Sequence, residues 1–405
     1  MADLQTLRWL HQPTGRMLSL TLDGEGAMLP SESTRLLLAH MNIRPGESVL
    51  DLGAGNGVLG FAALLLGAGR VCFSDIDPDC IRLIQRNRAH FVHQTGLEAT
   101  VQVCEGSLFS PLGEQRFDHI LVNPPSIPSS DDHLPQLPLA YRSGPDGRLF
   151  HDAIQALAGY YLNDGGRLSF VQGSLSNRPK SLATLAAKGY QLESTEPVRL
   201  PLTPHHPLAW LQQLAARGEA ELLHDESGWH ETRCVIQASL AGAAMTGVMG
   251  RLAARGIMVR KLPHLRAAPT VALAAAERGV PEHEMIKCIL LKDRQQRFVL
   301  ACLAGNAELD TQQVRTAWPE FTRLSFSSPQ EITQITGHVL GSVAPISLVE
   351  SIPVVFDARL QQLTKVNISA GDPRLGLELA LSDLLGLLGD AVRFAPIRKE
   401  PVAGA

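Results

Sequence analysis

Val49-Leu50-Asp51-Leu52-Gly53-Ala54-Gly55-Asn56-Gly57-Val58-Leu59-Gly60 is the stretch that decides the reading of the first half of the chain. An apolar run ends in an acid and is followed at once by glycines at alternate positions. This pattern predicts a buried strand turning sharply into a helix. Glycine permits the backbone angles of such a turn and lets a ligand approach the main chain, because no Cβ obstructs it. Alone the turn is a weak signal, equally suited to a dinucleotide, and its neighbours must decide.

The next acid-tipped strand is Val71-Cys72-Phe73-Ser74-Asp75-Ile76-Asp77. An acid about 20 residues beyond a Gly-rich turn is placed to accept hydrogen bonds from ribose hydroxyls. Pro78 to Val92 reads as a helix, Val101 to Ser107 as a third strand and loop, and Phe117 to Val122 as a fourth strand. That strand runs directly into Asn123-Pro124-Pro125-Ser126. Two prolines stiffen the loop and remove two backbone donors, leaving carbonyls and the Asn123 side-chain oxygen to accept hydrogen bonds from a substrate. A rigid turn is the bland alternative, but the position at the end of the fourth strand favours a positioning role. Gly165 to Val171, Gln191 to Leu200 and Thr232 to Leu240 continue as fifth, sixth and seventh strands, with a helix over Pro179 to Ala187. Leu208 to Leu214 and His224 to Gly228 read as an inserted helix and loop. Upstream, Leu29-Pro30-Ser31-Glu32 opens a helix that runs through a leucine series to Met41.

The 405 residues, 45% hydrophobic, suffice for two or three domains with sizeable cores. With 36 basic and 40 acidic residues the net charge is -4, so any case for nucleic acid must be local. Met1 to Gln5 lacks a signal peptide's basic and apolar regions, and no apolar run reaches the roughly eighteen residues of a membrane span. The expectation is a cytoplasmic protein. Cys72, Cys80, Cys104, Cys234, Cys288 and Cys302 are scattered without a CxxC pair, so buried free thiols are expected and no zinc site. His90, His93, His205 and His206 lack the further ligands of a metal centre and read as surface or capping residues.

The joint set Asp51-x-Gly53-x-Gly55-x-Gly57, Asp75 and Asn123-Pro124-Pro125-Ser126 resembles class I S-adenosylmethionine-dependent methyltransferases, in the branch that methylates amino nitrogens. Ala140-Tyr141-Arg142-Ser143-Gly144-Pro145-Asp146-Gly147 is similar to a segment of the glutamine methyltransferases that act on release factors. The resemblance covers roughly residues 25 to 240. It implies a Rossmann-like seven-stranded sheet, with S-adenosylmethionine beside Gly53, Gly55 and Gly57 and its ribose on Asp75. It also implies Asn123 with Pro124 and Pro125 holding the target nitrogen of a protein glutamine or an RNA base. Two departures stand out: Ser126 replaces the family's aromatic residue, and Ser107 stands where an acid commonly faces the adenine.

Near residue 245 the composition shifts, which places the boundary between a first domain, 1–245 with a lead-in over 1–47, and a second, 246–405. Arg251, Arg255, Arg260, Lys261, His264 and Arg266 occur with no acid before Glu277. This connector, 246–268, reads either as a solvated helix and link or as a strip for nucleic-acid phosphates. Pro269 to Val280 reads as a glycine-closed helix, followed by two apolar strands, Met285 to Leu291 and Phe298 to Leu303. Lys287 interrupts the first and must reach solvent or an anion. Ser328 caps a helix, and Gly337 to Pro345 spaces glycines so that N–H groups converge on an oxygen. Strands at Pro353 to Asp357 and Val366 to Gly371 complete a smaller mixed α/β unit.

From about residue 265 to residue 388 these segments resemble the YbaK/ProX family of aminoacyl-tRNA deacylases. Lys287, the Gly341-to-Pro345 loop, Asp357 and Ala370-Gly371 carry the likeness. It implies hydrolysis of a misattached amino acid from tRNA, with Lys287 on the terminal phosphate or ribose and Gly341 and Ser342 orienting the ester. The expected whole is an N-methyltransferase fused to a deacylase. The alternative is a tRNA or rRNA methyltransferase whose second domain only binds tRNA.

Overall fold

Val49, Leu50 and Leu52 are buried, as an apolar run flanked by parallel neighbours requires. The computed structural model describes residues 4–23, 30–97, 100–130, 141–242, 244–268, 270–349 and 351–399. Leu29, Ala140 and Pro269, each the first residue of an expected segment, lie outside the described residues. The chain divides into two compact units, Met1–Ala244 and Met245–Ala405.

The first unit opens with strands β1 (Leu4–His11) and β2 (Arg16–Asp23), an antiparallel hairpin. Helix α1 (Glu32–His40) follows, its first turn capped by Ser31, whose hydroxyl accepts from the Thr34 N–H. Then come β3 (Ser48–Leu52), α2 (Val58–Leu65), β4 (Arg70–Asp75), α3 (Pro78–Thr95), β5 (Thr100–Glu105) and β6 (Phe117–Val122). The unit continues with α4 (Leu149–Leu157), β7 (Leu162–Gly173), α5 (Arg178–Ala187), β8 (Tyr190–Ser194), β9 (Val198–Pro201), α6 (Leu208–Ala216), β10 (Leu223–Asp225) and β11 (Gly228–Leu240). The main sheet runs β10-β11-β7-β6-β3-β4-β5, with β8 and β9 both pairing β11. Strands β5, β4, β3, β6 and β7 are parallel, and β11 is antiparallel to β7. This is the Rossmann-like sheet that the resemblance implies, in a mixed α/β chain.

Among the described residues the sheet has nine strands, not seven. The expected single strand over Gln191–Leu200 is broken in two: β8 pairs with Leu240 to Ile236 and β9 with Arg233 to His230. The Thr195 N–H still reaches the Val235 carbonyl, so Glu196-Pro197 is where the pairing is interrupted; proline has no N–H for the ladder. The stretch expected as a loop at His224–Gly228 supplies β10, closed on β11 by a tight turn in which Asp225 accepts from the Ser227 N–H.

Why α2 follows β3 so tightly is visible in its glycines. Gly57 has φ 82° at the helix N-cap, and a Cβ there would meet the Phe61 ring at 2.7 Å. At Gly60 a Cβ would sit 2.2 Å from Phe73. Their bareness lets α2 pack flush on β4, with Phe61 and Phe73 rings 4.8 Å apart.

In the second unit, α7 (Gly247–Ala253) and β12 (Arg260–Pro263) precede α8 (Val271–Arg278), β13 (Ile286–Lys292) and β14 (Phe298–Ala304). Then follow α9 (Thr311–Ala317), β15 (Ser325–Phe326), α10 (Pro329–Thr336), β16 (Val354–Asp357), β17 (Lys365–Asp372), β18 (Leu375–Ala380), α11 (Leu381–Leu388) and β19 (Val392–Ala395). They form a five-stranded sheet, β15-β13-β14-β16-β19, and a three-stranded sheet, β12-β18-β17. A parallel bridge between Met285 and Asn367 brings the two sheets together. The basic connector is not one solvated strip. Lys261 and His264 are buried, because β12 pairs with β18 and carries them inward, while Arg260 pairs with Glu378.

The sequence reading missed Arg148, which is fully buried in the first unit. Its guanidinium makes two bonds to Asp152 Oδ1, at 2.9 and 2.7 Å, and donates to the Ser176 and Asn177 carbonyls and the Ser181 hydroxyl. Removing one partner of such a pair strands the rest without water, which costs roughly 3–5 kcal/mol. Calorimetry of the full chain should therefore show Arg148→Ala lowering the Tm of one transition while leaving the other in place.

Candidate functional site

The carboxyl ends of β3, β4, β5 and β6 converge on one edge of the sheet, where ligands of open α/β folds bind. Gly53 and Gly55 leave β3 with φ 69° and 57°, and a Cβ added at either would meet nothing within 4 Å. The loop therefore faces open space. It is pinned from below: Gly53 and Ala54 donate their N–H groups to the Ser74 carbonyl at 2.8 and 3.1 Å, and the Gly55 N–H donates to Asp75 Oδ2 at 2.8 Å. The other Asp75 oxygen accepts from the Asp77 N–H at 2.9 Å. Each oxygen retains a lone pair for a further donor. The Gly106 N–H donates to the Asp75 carbonyl at 2.8 Å, which brings Ser107 to the same edge.

Asp51 is the most perturbed group here. It is buried; Oδ2 accepts from the Gly60 N–H at 2.8 Å, and Oδ1 has no partner. Burial pushes its pKa up to about 8, opposed by the Gly60 N–H and reinforced by the negative charge of Asp75. A buried carboxyl with an unused oxygen, under a loop facing open space, suits a cationic ligand.

Asn123 stands at the end of β6, as its sequence position required. Its amide nitrogen donates to Thr34 Oγ1 at 3.0 Å and to Ser31 Oγ at 3.4 Å, so the first turn of α1 holds the side chain. Oδ1 takes no donor from a described residue. The Pro124-Pro125 loop is braced by the segment after residue 140. The Ser143 hydroxyl donates to the Ile127 carbonyl at 2.6 Å, and the Ser129 N–H to the Gly144 carbonyl at 3.1 Å. Gly147 is bare because a Cβ there would lie 2.6 Å from the Ser126 carbonyl.

Of the histidines expected at the surface or as caps, His206 is a cap. The His206 side chain is buried, with Nε2 3.3 Å from the Glu231 carboxylate, while its Nδ1 accepts from the Thr203 N–H at 2.9 Å. It caps its own turn, but it is no surface residue. Among the described residues no cluster of metal-ligating side chains occurs, and the six cysteines are free.

In the second unit, Lys287 Nζ donates to the Gly305 and Ala307 carbonyls at 3.1 and 2.5 Å. Burial pulls its pKa below the ordinary lysine range, with Glu308 and Glu282 opposing. The register of the Met285–Asn367 bridge carries Lys287 towards Ser369, whose hydroxyl donates to the Ser342 carbonyl at 2.8 Å. Gly341 has φ 88° with open space before it, but the Ser342 N–H is spent inside the turn, on the Val339 carbonyl at 3.0 Å. The expected convergence of free N–H groups does not extend to Ser342. Asn367, missed in the sequence because an amide in a strand looks ordinary, is fully buried with neither side-chain atom partnered.

Residues 30–137 match the family model of the methyltransferase small domain, and residues 266–387 match that of the aminoacyl-tRNA editing domain. The chain joins a methyltransferase small domain to an aminoacyl-tRNA editing domain. The release factor glutamine methyltransferase of Geobacter sulfurreducens is 36% identical over 158 residues, 36% of this chain and 53% of that enzyme. The chain thus spans about half the length of that relative. A Methanocaldococcus jannaschii protein named as a candidate protein glutamine methyltransferase is 28% identical over 174 residues, 42% of this chain and 85% of that protein. Among solved structures, a candidate trans-editing enzyme for prolyl-tRNA synthetase has 24% identity and a TM-score of 0.34, covering 38% of this chain and 96% of that one.

Methyltransferases of this class use S-adenosylmethionine, and the residues of the methyltransferase domain fit it. Gly53 and Gly55 offer the bare loop, Asp75 two acceptors, and Asp51 an unpaired carboxyl oxygen towards positive charge. The Asp51 shift has a readable sign. Because its folded pKa is raised from 3.8 to about 8, its contribution to stability is full below pH 3.8 and is lost as pH rises through about 8. Asp51→Asn should gain stability over wild type progressively across that window, measured by thermal unfolding without ligand. Calorimetry at pH 7 in buffers of different ionisation heat should show S-adenosylmethionine expelling a proton from wild type and none from the variant.

Proposed function

We propose that the methyltransferase domain transfers the methyl group of S-adenosylmethionine to the side-chain amide nitrogen of a glutamine in a release factor. We propose further that the editing domain hydrolyses mischarged aminoacyl-tRNA. The arrangement at Asn123 carries the first half. Its amide nitrogen is tied to Ser31 and Thr34, which turns Oδ1 towards an incoming N–H, and Pro124 and Pro125 bring no N–H of their own to compete. A primary amide offers two N–H groups, so Oδ1 and a neighbouring carbonyl suit it as acceptors. S-adenosylmethionine supplies an electrophilic methyl group on a sulfonium. Asn123 fixes the nitrogen, and the braced 124–129 loop keeps that geometry, so catalysis here is chiefly orientation. The names of the glutamine methyltransferase relatives support this acceptor.

Residues 1–245 would then be the methyltransferase part and 246–405 the editing part, both serving translation in the cytoplasm. In the editing domain, Lys287 would contact the tRNA terminus and the Gly341–Ser342 turn would orient the ester. One observation favours a second reading, in which this domain binds tRNA without cleaving it. Two of the three Lys287 Nζ donors go to carbonyls of its own domain, and the Ser342 N–H goes to another.

Labelled S-adenosylmethionine, offered with separate pools of release factors, ribosomes and tRNA, should mark the release factors. Asn123→Ala should slow that labelling about a hundredfold or more, and labelling of the RNA pools alone would replace the acceptor named here. For the second half, a panel of mischarged tRNAs should lose amino acid with wild type and not with Lys287→Ala. Binding of tRNA by wild type without any release would leave the binding reading in its place.

A further inference from the structure

The methyltransferase domain holds a charged cluster that the chemistry above does not use. Glu231 lies on β11, and its carboxylate sits against the end of β7, where a Cβ on Gly173 would come within 2.9 Å of it. The registers Arg233↔Gly173 and Val122↔Phe170 place this cluster at the carboxyl edge of the sheet, beside the strand end that bears Asn123. Glu231 is held ionised in spite of burial. Burial alone would raise its pKa, but His206 and Arg233 outweigh that and keep it below the ordinary glutamate range. Arg233 Nη2 donates to Glu231 Oε1 at 2.6 Å, and Nη1 donates to the Ser33 hydroxyl on α1. Ser33 lies between Ser31 and Thr34, the two residues whose hydroxyls hold Asn123.

Polar contacts therefore run from His206 through Glu231 and Arg233 to Ser33, and separately from Ser31 and Thr34 to Asn123, and the backbone of the first helical turn joins the two sets. An ion pair of this kind is weak evidence for stability in itself, but a planar guanidinium with one nitrogen on Glu231 and the other on Ser33 fixes direction well. A shift of about 1 Å at a reacting group costs about a hundredfold in rate.

We propose that Arg233, aimed by Glu231, is a positioning residue for methyl transfer: it locks the first turn of α1 so that Ser31 and Thr34 orient Asn123. This rests on the reading of Asn123 as the residue that holds the acceptor nitrogen. Arg233 touches neither the loop at Gly53 and Gly55 nor Asp75, so its loss leaves cofactor binding in place.

The test has two arms. In the first, Arg233→Met, Arg233→Lys and Ser33→Ala are compared with wild type for S-adenosylmethionine affinity by calorimetry and for methylation of a release factor under single turnover. Arg233→Met should lower the transfer rate about tenfold to a hundredfold, with affinity changed less than about threefold. Arg233→Lys, which keeps the charge and loses the fork, should fall between. The double variant Arg233→Met with Ser33→Ala should be no slower than Arg233→Met, since both break one path. Additive losses, an unchanged rate, or equal falls in affinity and rate would overturn the proposal. The second arm needs no acceptor. The Asn123 side-chain amide resonances of the full chain, assigned by their loss in Asn123→Ala, should move in both Arg233→Met and Ser33→Ala. If wild type methylates no release factor, the glutamine reading fails while this arm still decides the positioning role, and resonances that stay in place would overturn it.

Discussion

The hydrogen bond from the Gly55 N–H to the Asp75 carboxylate, at 2.8 Å, is the contact on which the first site depends. It couples the loop leaving β3 to the tip of β4, so the two elements cannot move independently. Gly53 and Ala54 add their N–H groups to the Ser74 carbonyl, and the result is a turn whose inner donors are spent and whose outer face is bare. Only such a turn can present main chain to a ligand without collapsing onto the sheet. Asp51 sets the electrical character of the same place, because a buried carboxyl with an unused oxygen is stabilised by an arriving cation.

The second constraint is carried by α1. Its N-terminal turn uses Ser31 both as helix cap and as partner of Asn123, so folding the helix and orienting the amide are one event. The Glu231–Arg233 pair reaches that turn from β11, about 200 residues away in sequence. The last strand of the sheet thereby reaches the helical turn that holds Asn123 at the end of its fourth. In the editing domain the corresponding economy is less complete. Lys287 is bound by carbonyls, yet the Asn367 side-chain amide is buried with no partner among the described residues, and a buried amide left unsatisfied is costly.

Much of this was legible along the chain. Asp51, Gly53, Gly55, Asp75 and Asn123 each sit at the carboxyl end of a parallel strand or in the turn that follows, because strand, turn and helix signals are local and the topology of the parallel series is restricted. Lys287 was conspicuous for the same reason: a charge inside an apolar run has few permitted surroundings. What was not legible depends on partners distant in sequence. His206 looked like one of several unassisted histidines until the fold brought Glu231 within 3.3 Å. Lys261 and His264 looked like part of a basic strip until β12 paired with β18 and buried them. Ser342 looked like a free donor until its own turn claimed the N–H.

The amino-acid sequence alone determined the order of the parallel strands β3 to β7, the glycine turn with its acids, and the presence of two candidate centres. These follow from periodicity, chirality and the conformational freedom of glycine and proline, which act over a few residues. Tertiary structure alone decided which of those residues stay available. Arg148 carries no local signal in the sequence, and became a buried brace because desolvation leaves its guanidinium no alternative to protein partners, while Arg233 was brought to Glu231 and Ser33 only by the pairing of distant elements.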